Sequence, residues 1–282
     1  MRLYELHKSL KRELSIYYPS SSEIESRSIL KDILNISDKD LLIKYDFEVN
    51  ERILEKISDV LLRRKNGEPL SRIQGKKEFY ESDFKINSSV LDPRPETEIL
   101  VETAISFINK IQAKSILDLG TGSGCILISL IKLFPKLFGV GLDLSEEAIK
   151  NAKENVSINR LEDNINFVTC NWGDSIEAKF DILISNPPYI KTNEIKNLPE
   201  SVKKYDPLLS LDGGYDGLQP YINIARNAQH LISKNGKILV EIGFDQANKI
   251  DKIFYKEGFN LEKKIKDYND LDRILVFSWI LK

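Results

Sequence analysis

The chain has 282 residues, of which 41% are hydrophobic and 30% charged, and its net charge at pH 7 is −2. This composition is typical of a globular protein with one large and one small domain, and the acidic balance argues against broad affinity for nucleic acid, because phosphate binding depends on clustered Lys and Arg. Cys125 and Cys170 have no metal-binding or redox spacing and indicate a reducing compartment. Since no apolar stretch is long enough to span a membrane and the start lacks a signal-peptide core, we expect a cytoplasmic protein.

Residues 1–66 are predicted to form a small helical bundle. Leucines recur at helical spacing near the start and give one apolar stripe, formed by Leu3, Leu6, Leu10 and Leu14. Ser22 and Glu25 have the spacing of a capping box at the start of a second helix. Asn50 is placed to cap a later helix, which should end before Gly67. The charges on these helices are mixed, so their outer face is either simply solvated or a docking surface for a substrate.

Residues 67–95 are predicted to be a linker that contains a β-hairpin around Glu81-Ser82. Asp92-Pro-Arg-Pro-Glu-Thr-Glu98 follows, and its prolines favour an extended entry into a helix that Thr97 or a neighbour caps. A charged cluster before a helix is usually a solvated cap. This cluster is also placed to face a site, and the sequence leaves both interpretations open.

Residues 96–282 are predicted to form an α/β domain. Apolar strands and helices alternate from residue 115 onward, which is typical of a doubly wound parallel sheet. We expect Asn235-Gly236 to turn the chain into a strand that ends at Ile242, and Asp245 to cap the following helix. The last two strands, near 260–266 and 273–279, are predicted to be antiparallel. The fold class is therefore α/β, with a Rossmann-like sheet and a small N-terminal helical bundle.

The loop Gly120-Thr-Gly-Ser-Gly124 lies between a predicted strand and a helix, and Asp143 ends the next strand. This order is typical of nucleotide binding, because glycines let a ligand approach the backbone and the acid accepts bonds from ribose hydroxyls. Cys125 stands where a dinucleotide fingerprint has its last glycine, which argues against NAD. Asp118 would repel phosphates but suits an ammonium or sulfonium charge, and S-adenosylmethionine carries both. A tight turn without a ligand is the less favoured alternative. Trp172 follows the third strand, where it either stacks on adenine or packs in the core.

A second motif, Asn186-Pro-Pro-Tyr189, follows the apolar run Phe180–Ser185. Two prolines cannot continue a ladder, so the chain must leave the sheet in a stiff, extended conformation. The Asn186 side chain and the Pro187 carbonyl offer two acceptors, and Tyr189 offers an aromatic face. These groups suit a planar –NH₂ group, such as an amide or an exocyclic amino group. The alternative is a plain proline turn that ends a strand.

Together these motifs resemble those of the protein-(glutamine-N5) methyltransferases that act on peptide chain release factors, the PrmC/HemK family. The resemblance covers nearly the whole chain and includes Pro93–Glu98, Asp118–Gly124, Asn186–Tyr189, Tyr205–Leu209 and Glu241–Gln246. The Asn-Pro-Pro-Tyr motif by itself is shared with adenine-N6 methyltransferases, whereas its combination with the other segments is specific to the release factor enzymes. The chain departs from the family pattern at Glu81 and in the stretch 267–273, because it lacks a glycine that family members often have there. These departures concern the geometry of loops more than the chemistry of the site.

The resemblance implies a class I S-adenosylmethionine-dependent methyltransferase that releases S-adenosyl-L-homocysteine and methylates the glutamine of Gly-Gly-Gln in release factors. The residues implied to contact the cofactor are Gly120, Thr121, Gly122, Ser123, Gly124, Asp143, Trp172 and Asn186. The implied catalytic residues, which would hold the glutamine, are Asn186, Pro187, Pro188 and Tyr189. We expect a monomer with release factors as partners, and with no metal, membrane or direct nucleic-acid partner.

Three other functions fit parts of the sequence. The enzyme could methylate the glutamine of a ribosomal protein or an adenine of nucleic acid, or the chain could be a non-catalytic binding module. The acidic composition and Arg94–Thr97 count against the first two. The intact Asp118, glycine loop, Asp143 and Asn186 count against the third.

Overall fold

The chain divides into two compact units, Met1–Gly75 and Lys76–Lys282. The computed structural model describes residues 1–43, 46–161 and 163–280. Within these ranges, none of the helices combines the length and the apolar character that crossing a membrane requires.

The first unit consists mainly of helices packed around a core of their own. Its helices are α1 (Leu3–Tyr17), α2 (Ser22–Leu34), α3 (Asp38–Ile43), α4 (Glu51–Lys65) and α5 (Leu70–Gln74). The leucine stripe of α1 is buried, as its helical spacing predicts, and it packs against Leu30 of α2 and Ile57 of α4. The short helix α5 was not expected from the sequence.

The start of each helix depends on which side chain satisfies its free backbone N–H groups. Asn50 caps α4 as predicted, because its Oδ1 accepts the Ile53 N–H at 3.1 Å. The capping box predicted at Ser22 is wrong. Ser22 is the first residue inside α2, its hydroxyl donates to the Pro19 carbonyl at 3.3 Å, and Ser21 occupies the cap position.

Glu25 accepts a 2.8 Å hydrogen bond from the hydroxyl of Ser21, the cap residue of α2, and also forms a buried ion pair. Its carboxylate accepts two hydrogen bonds from the Arg64 guanidinium, at 2.8 Å and 2.9 Å. The same guanidinium lies 3.6 Å from the centre of the Tyr18 ring. Such a paired, desolvated arginine joins α2 to α4, and removing one partner would leave a buried charge.

The second unit is an α/β domain preceded by a hairpin. Its strands are β1 (Lys76–Phe79), β2 (Ser82–Lys85), β3 (Ser115–Leu119), β4 (Phe138–Asp143), β5 (Ile165–Thr169), β6 (Phe180–Ser185), β7 (Ile232–Glu241), β8 (Phe259–Lys266) and β9 (Asp272–Trp279). Its helices are α6 (Pro95–Ile111), α7 (Cys125–Leu133), α8 (Glu146–Asn159), α9 (Glu200–Tyr205), α10 (Gln219–Leu231) and α11 (Ala247–Lys256). Strands β1 and β2 pair antiparallel, which is the hairpin that the sequence indicates.

The main sheet has the strand order β5-β4-β3-β6-β7-β9-β8 in the residues described. The strands from β5 to β7 are parallel, and β9 and β8 close the sheet antiparallel. The predicted doubly wound sheet with an antiparallel end is thus confirmed. The chain order reverses where β3 lies beside β6, and this switch point is where open α/β sheets bind ligands.

Helices cover both faces of the sheet. Adjacent residues of a strand point to opposite faces, so Ile116 of β3 belongs to the core under α6, α7 and α8, whereas Leu117 belongs to the core under α10 and α11. Both side chains are fully buried. Burial on both faces accounts for the continuous apolar character of the inner strands.

The turn predicted at Asn235-Gly236 is wrong, because β7 already begins at Ile232. Phe180 of β6 pairs with Ile232, but Ile182 pairs with Lys237, so extra residues of β7 bulge out of the ladder between these pairs. A Cβ at Gly236 would lie 2.7 Å from Ile232 Cγ1. The glycine therefore allows a close approach in a bulge.

The cap predicted at Asp245 is also wrong, and α6 is capped by a residue near Thr97 and not by Thr97 itself. Gln246 occupies the cap position of α11 in place of Asp245. Arg94 occupies the cap position of α6, while Thr97 lies inside the first turn with its hydroxyl directed to another partner. Ser145, in contrast, caps α8 by accepting the Ala148 N–H at 3.2 Å.

Candidate active site

The two sequence motifs begin side by side at the carboxyl edge of the sheet. Leu119, the last residue of β3, pairs with Ser185, the last residue of β6. The buried Ser185 hydroxyl also donates a 2.7 Å hydrogen bond to the Leu119 carbonyl. The glycine loop follows Leu119 and Asn-Pro-Pro-Tyr follows Ser185, so the pairing of two adjacent strands fixes where both motifs start.

The glycines of the loop have two different tasks. Gly120, Gly122 and Gly124 have φ angles of +72°, +55° and +78°, which favour glycine. A Cβ at Gly122 would meet no atom within 4 Å, so its backbone faces open space. A Cβ at Gly124 would lie 3.0 Å from Ile128 Cδ1 and 3.2 Å from Phe167 Cζ. Gly122 thus leaves room for a ligand, whereas Gly124 lets α7 pack closely.

Asp143 is held in place by two backbone N–H groups. Its Oδ2 accepts the Gly122 N–H at 2.9 Å and its Oδ1 accepts the Ser145 N–H at 2.9 Å. Burial raises the pKa of this carboxyl, and the backbone hydrogen bonds oppose the rise. Each carboxylate oxygen keeps a lone pair, which suits the hydroxyls of a ribose.

Asp118 is fully buried at the end of β3. The Thr121 hydroxyl donates to its Oδ2 at 2.7 Å, whereas its Oδ1 has no hydrogen-bond partner among the residues described. Burial raises the pKa of this carboxyl to about 7. A buried carboxylate with an unpaired oxygen is costly in isolation, and a cation bound nearby would offset that cost. The residues beside the loop thus fit a positively charged ligand.

A cavity of about 620 Å³ opens above these strand ends. The predicted residues on its wall are Gly120, Thr121, Gly122, Ser123, Asp143, Trp172, Asn186 and Pro188. Four predicted residues lie outside this wall, namely Asp118, Gly124, Pro187 and Tyr189. Asp118 accepts a hydrogen bond from Thr121 of the loop, and Gly124 faces Ile128 and Phe167 of the core.

The cavity wall also contains residues that the sequence analysis did not assign as ligand contacts. They include Arg94, Thr97, Leu144, Asn171, Leu208, Leu209 and Asn223. Arg94 forms a 2.6 Å ion pair with Asp206, whose side chain is buried. Arg94 and Asp206 both lie in segments that carry the family resemblance. This resemblance was the one sequence signal that could have identified them as site residues.

The backbone of Asn-Pro-Pro-Tyr packs against a glycine-rich turn that contains Gly213 and Gly217. A Cβ at Gly213 would lie 2.8 Å from the Pro188 carbonyl oxygen, and one at Gly217 would overlap the Tyr189 carbonyl oxygen. Gln246 Nε2 donates to the carbonyls of Tyr189, at 3.0 Å, and Gly217, at 3.2 Å. Only glycine fits at these two positions, because backbone packs directly on backbone.

The side chain of Asn186 is connected to a buried acid. Its Nδ2 donates to Thr97 Oγ1 at 3.0 Å, and Thr97 Oγ1 donates to Glu241 Oε2 at 2.8 Å. Thr97 and Glu241 are buried, and burial raises the pKa of Glu241 to about 7. Burial likewise raises the pKa of the neighbouring Tyr189 to about 12.

The fold and the site define a methyltransferase of the α/β class. Residues 111–273 match the family described as "Methyltransferase domain", and residues 5–75 match the "PrmC N-terminal domain". The chain is 38% identical to the release factor glutamine methyltransferase of Agrobacterium fabrum, over 90% of this chain and 89% of that protein. The chain therefore belongs to the release factor glutamine methyltransferase family, and the predicted family and enzyme class are confirmed.

Other similarities concern length and fold. The chain is 36% identical to the bifunctional methyltransferase of Rickettsia typhi, over 91% of this chain but only 53% of that protein, so it spans about half of that relative. The catalytic domain of hMettl16, solved with an RNA hairpin, superimposes with a TM-score of 0.58 at 15% identity, over 83% of this chain and 84% of that one. At this identity the likeness shows the fold alone.

Proposed function

We propose that this protein transfers a methyl group from S-adenosylmethionine to the side-chain amide nitrogen of the glutamine in the Gly-Gly-Gln motif of peptide chain release factors. The observation that carries the proposal is that the glycine loop and Asn-Pro-Pro-Tyr begin at paired ends of β3 and β6 and border one cavity. Family membership supports the choice of substrate. We further propose that the protein acts as a monomer in the cytoplasm.

The loop side of the cavity holds the cofactor in this proposal. Bound S-adenosylmethionine supplies a methyl group on a sulfonium centre. The open backbone at Gly122 admits the ligand, and Asp143 accepts hydrogen bonds from its ribose hydroxyls. Trp172, on the cavity wall, provides a flat surface for the adenine. The buried charge of Asp118 favours a cation in this half of the cavity.

The other side of the cavity holds the glutamine. Its amide nitrogen is a poor nucleophile, because the lone pair is delocalised into the carbonyl. We assign Asn186 Oδ1 and the Pro187 carbonyl as acceptors for its two N–H groups, with Pro188 on the cavity wall and Tyr189 following it in the same stiff segment. These hydrogen bonds orient the amide and stabilise the positive charge that develops on nitrogen during methyl transfer. The proton is lost after transfer, when that positive charge has made it acidic.

Transfer of labelled methyl from S-adenosylmethionine to a purified release factor tests the proposal. A copy of the release factor with another residue in place of the Gly-Gly-Gln glutamine is the matched control. We expect label on the intact factor alone. Label on a ribosomal protein or an oligonucleotide, with the release factor unlabelled, would establish one of the alternative substrates. Calorimetry with S-adenosylmethionine tests the cofactor separately.

A further inference from the structure

The orientation of the Asn186 side chain follows from the hydrogen atoms available to its neighbours. An ionised carboxylate has only acceptors, so the Thr97 hydroxyl must use its single hydrogen on Glu241 Oε2. Thr97 Oγ1 can then only accept a further hydrogen bond. Asn186 must therefore present its –NH₂ group to Thr97, at 3.0 Å, and its Oδ1 is turned away from Thr97.

This orientation is the one that the chemistry requires. An asparagine amide has two orientations related by a flip, and they exchange an acceptor for a donor at the same place. An amide –NH₂ group of a substrate needs an acceptor. A flipped Asn186 would place its own –NH₂ group against the –NH₂ group of the substrate, and neither group could accept a hydrogen bond.

We propose that Thr97 and Glu241 are positioning residues which hold Asn186 with its oxygen towards the substrate, and that protonation of Glu241 releases this hold. The inference rests on the proposed role of Asn186 as the acceptor for the substrate amide. The three residues come from the first turn of α6, the end of β7 and the segment after β6, so the fold brings them together from distant parts of the sequence.

Protonation of Glu241 changes the direction of the hydrogen bonds. A neutral carboxyl can donate to Thr97, and Thr97 can then donate to Asn186 Oδ1, which permits the flipped amide. Burial holds the pKa of Glu241 at about 7, so the change falls within the range of an activity assay. The charged and titratable groups that face Glu241 are Arg94 and Glu96 at the start of α6, Tyr189 after β6, Tyr221 on α10 and Arg273 on β9.

Neighbouring cations partly offset the effect of burial on the pKa of Glu241. Arg273 lowers its pKa, and the guanidinium is itself fixed by a 3.0 Å ion pair with Asp267. Arg94 acts in the same direction from the cavity wall, whereas Glu96 opposes both. The acceptor orientation is therefore enforced at pH 8 and is no longer enforced at pH 6.

The test compares four variants of the 282-residue chain in methyl transfer to a release factor. Thr97→Val removes the hydroxyl but keeps the shape, Thr97→Ser restores the hydroxyl, and Glu241→Gln removes the charge. Thr103→Val is the matched control, because Thr103 is a buried threonine of the same helix whose hydroxyl donates only to the Ile99 carbonyl at 2.7 Å. The readouts are kcat, the KM for S-adenosylmethionine, the pH profile of kcat and the thermal midpoint.

We expect Thr97→Val and Glu241→Gln to lower kcat about tenfold to a hundredfold with little change in the KM for S-adenosylmethionine. Thr97→Ser and Thr103→Val should stay near wild type. The wild-type kcat should fall below pH 7, and this acid limb should be absent from Glu241→Gln.

Wild-type kcat in both Thr97→Val and Glu241→Gln, or an unchanged acid limb in Glu241→Gln, would overturn the inference. If Thr97→Val fails to fold, the pH profile of Glu241→Gln decides by itself. Failure of the proposed function is a separate outcome, because in that case the wild-type protein transfers no methyl to the release factor.

Discussion

Asn186 directly follows β6, and its side chain borders the cavity and is linked through Thr97 to the buried Glu241. Replacing Asn186 with Ala removes the acceptor assigned to the substrate amide and leaves Thr97 without its donor. We expect kcat to fall about 10²- to 10³-fold, the range seen when one positioned polar group is lost from an active site. Steady-state kinetics and the thermal midpoint measure the effect. A folded variant with near-normal kcat would refute the assigned role.

Asp118 predicts a pH dependence of stability. Its pKa is 3.8 in the unfolded chain and about 7 in the folded protein, so between these values the folded protein retains a proton that the unfolded chain has lost. Stability from this group is therefore full below pH 4 and is lost as pH rises to 7. Asp118→Asn does not titrate at this position.

The thermal midpoint of Asp118→Asn should accordingly gain several degrees relative to wild type between pH 5 and pH 8. Glu241 titrates in both proteins, so its contribution cancels in the comparison. A difference between the two midpoints that stays constant with pH would contradict the assigned burial. Scanning calorimetry at a series of pH values provides the measurement.

Single residues show which contacts a sequence can reveal. The cap at Asn50 was predicted correctly, because its side chain bonds a backbone N–H three residues away. Thr97 was one candidate for the cap of α6, but the partner of its hydroxyl is Glu241, which lies 144 residues further along the chain. A local pattern contains no information about such a partner, so only the fold reveals it.

The loop between β3 and α7 gives a prediction at the scale of an element. Gly122→Ala and Gly124→Ala both place Ala at a positive φ, which costs about 1–2 kcal/mol. Gly124→Ala adds overlap with Ile128 and Phe167, for a further cost of about 1–3 kcal/mol. Denaturant unfolding should show the larger loss for Gly124→Ala, and calorimetry should show the larger loss of S-adenosylmethionine affinity for Gly122→Ala.

Equal effects of the two substitutions on both measurements would contradict the division of tasks between these glycines. The pair is well matched, because both residues lie in one loop and differ mainly in what surrounds their Cα atoms. The sequence marked both as ligand-binding glycines, and only the neighbours of each distinguish them.

Strand β7 shows a limit of prediction at the same scale. Asn-Gly is a strong turn signal, yet the chain bulges within the strand, because Gly236 packs against Ile232 and against the Asp181 carbonyl of β6. The alternation of strands and helices was predictable from local hydrophobicity. The bulge depends on the neighbouring strand β6, which is distant in sequence. Asp181 of β6 and Ser233 of β7 are hydrogen-bonded although they lie about 50 residues apart along the chain.

At the scale of the whole molecule, each unit buries its own core, formed in one case by the α1 leucines and their partners and in the other by the two faces of the sheet. We therefore expect residues 76–282 alone to bind S-adenosylmethionine like the full chain. If the helical unit docks the substrate, the KM for a release factor should rise about tenfold or more in this fragment. An unchanged KM would exclude a docking role for residues 1–75.

The pairing of Leu119 with Ser185 has a consequence for how such an enzyme can change over evolutionary time. In the proposed function, the methyl donor binds at the segment after β3 and the acceptor at the segment after β6, and the sheet sets these two segments side by side. New acceptors can therefore arise through mutation of 186–217 while the donor segment is inherited unchanged. A library of variants restricted to 186–217 is accordingly the place to select for a new methyl acceptor.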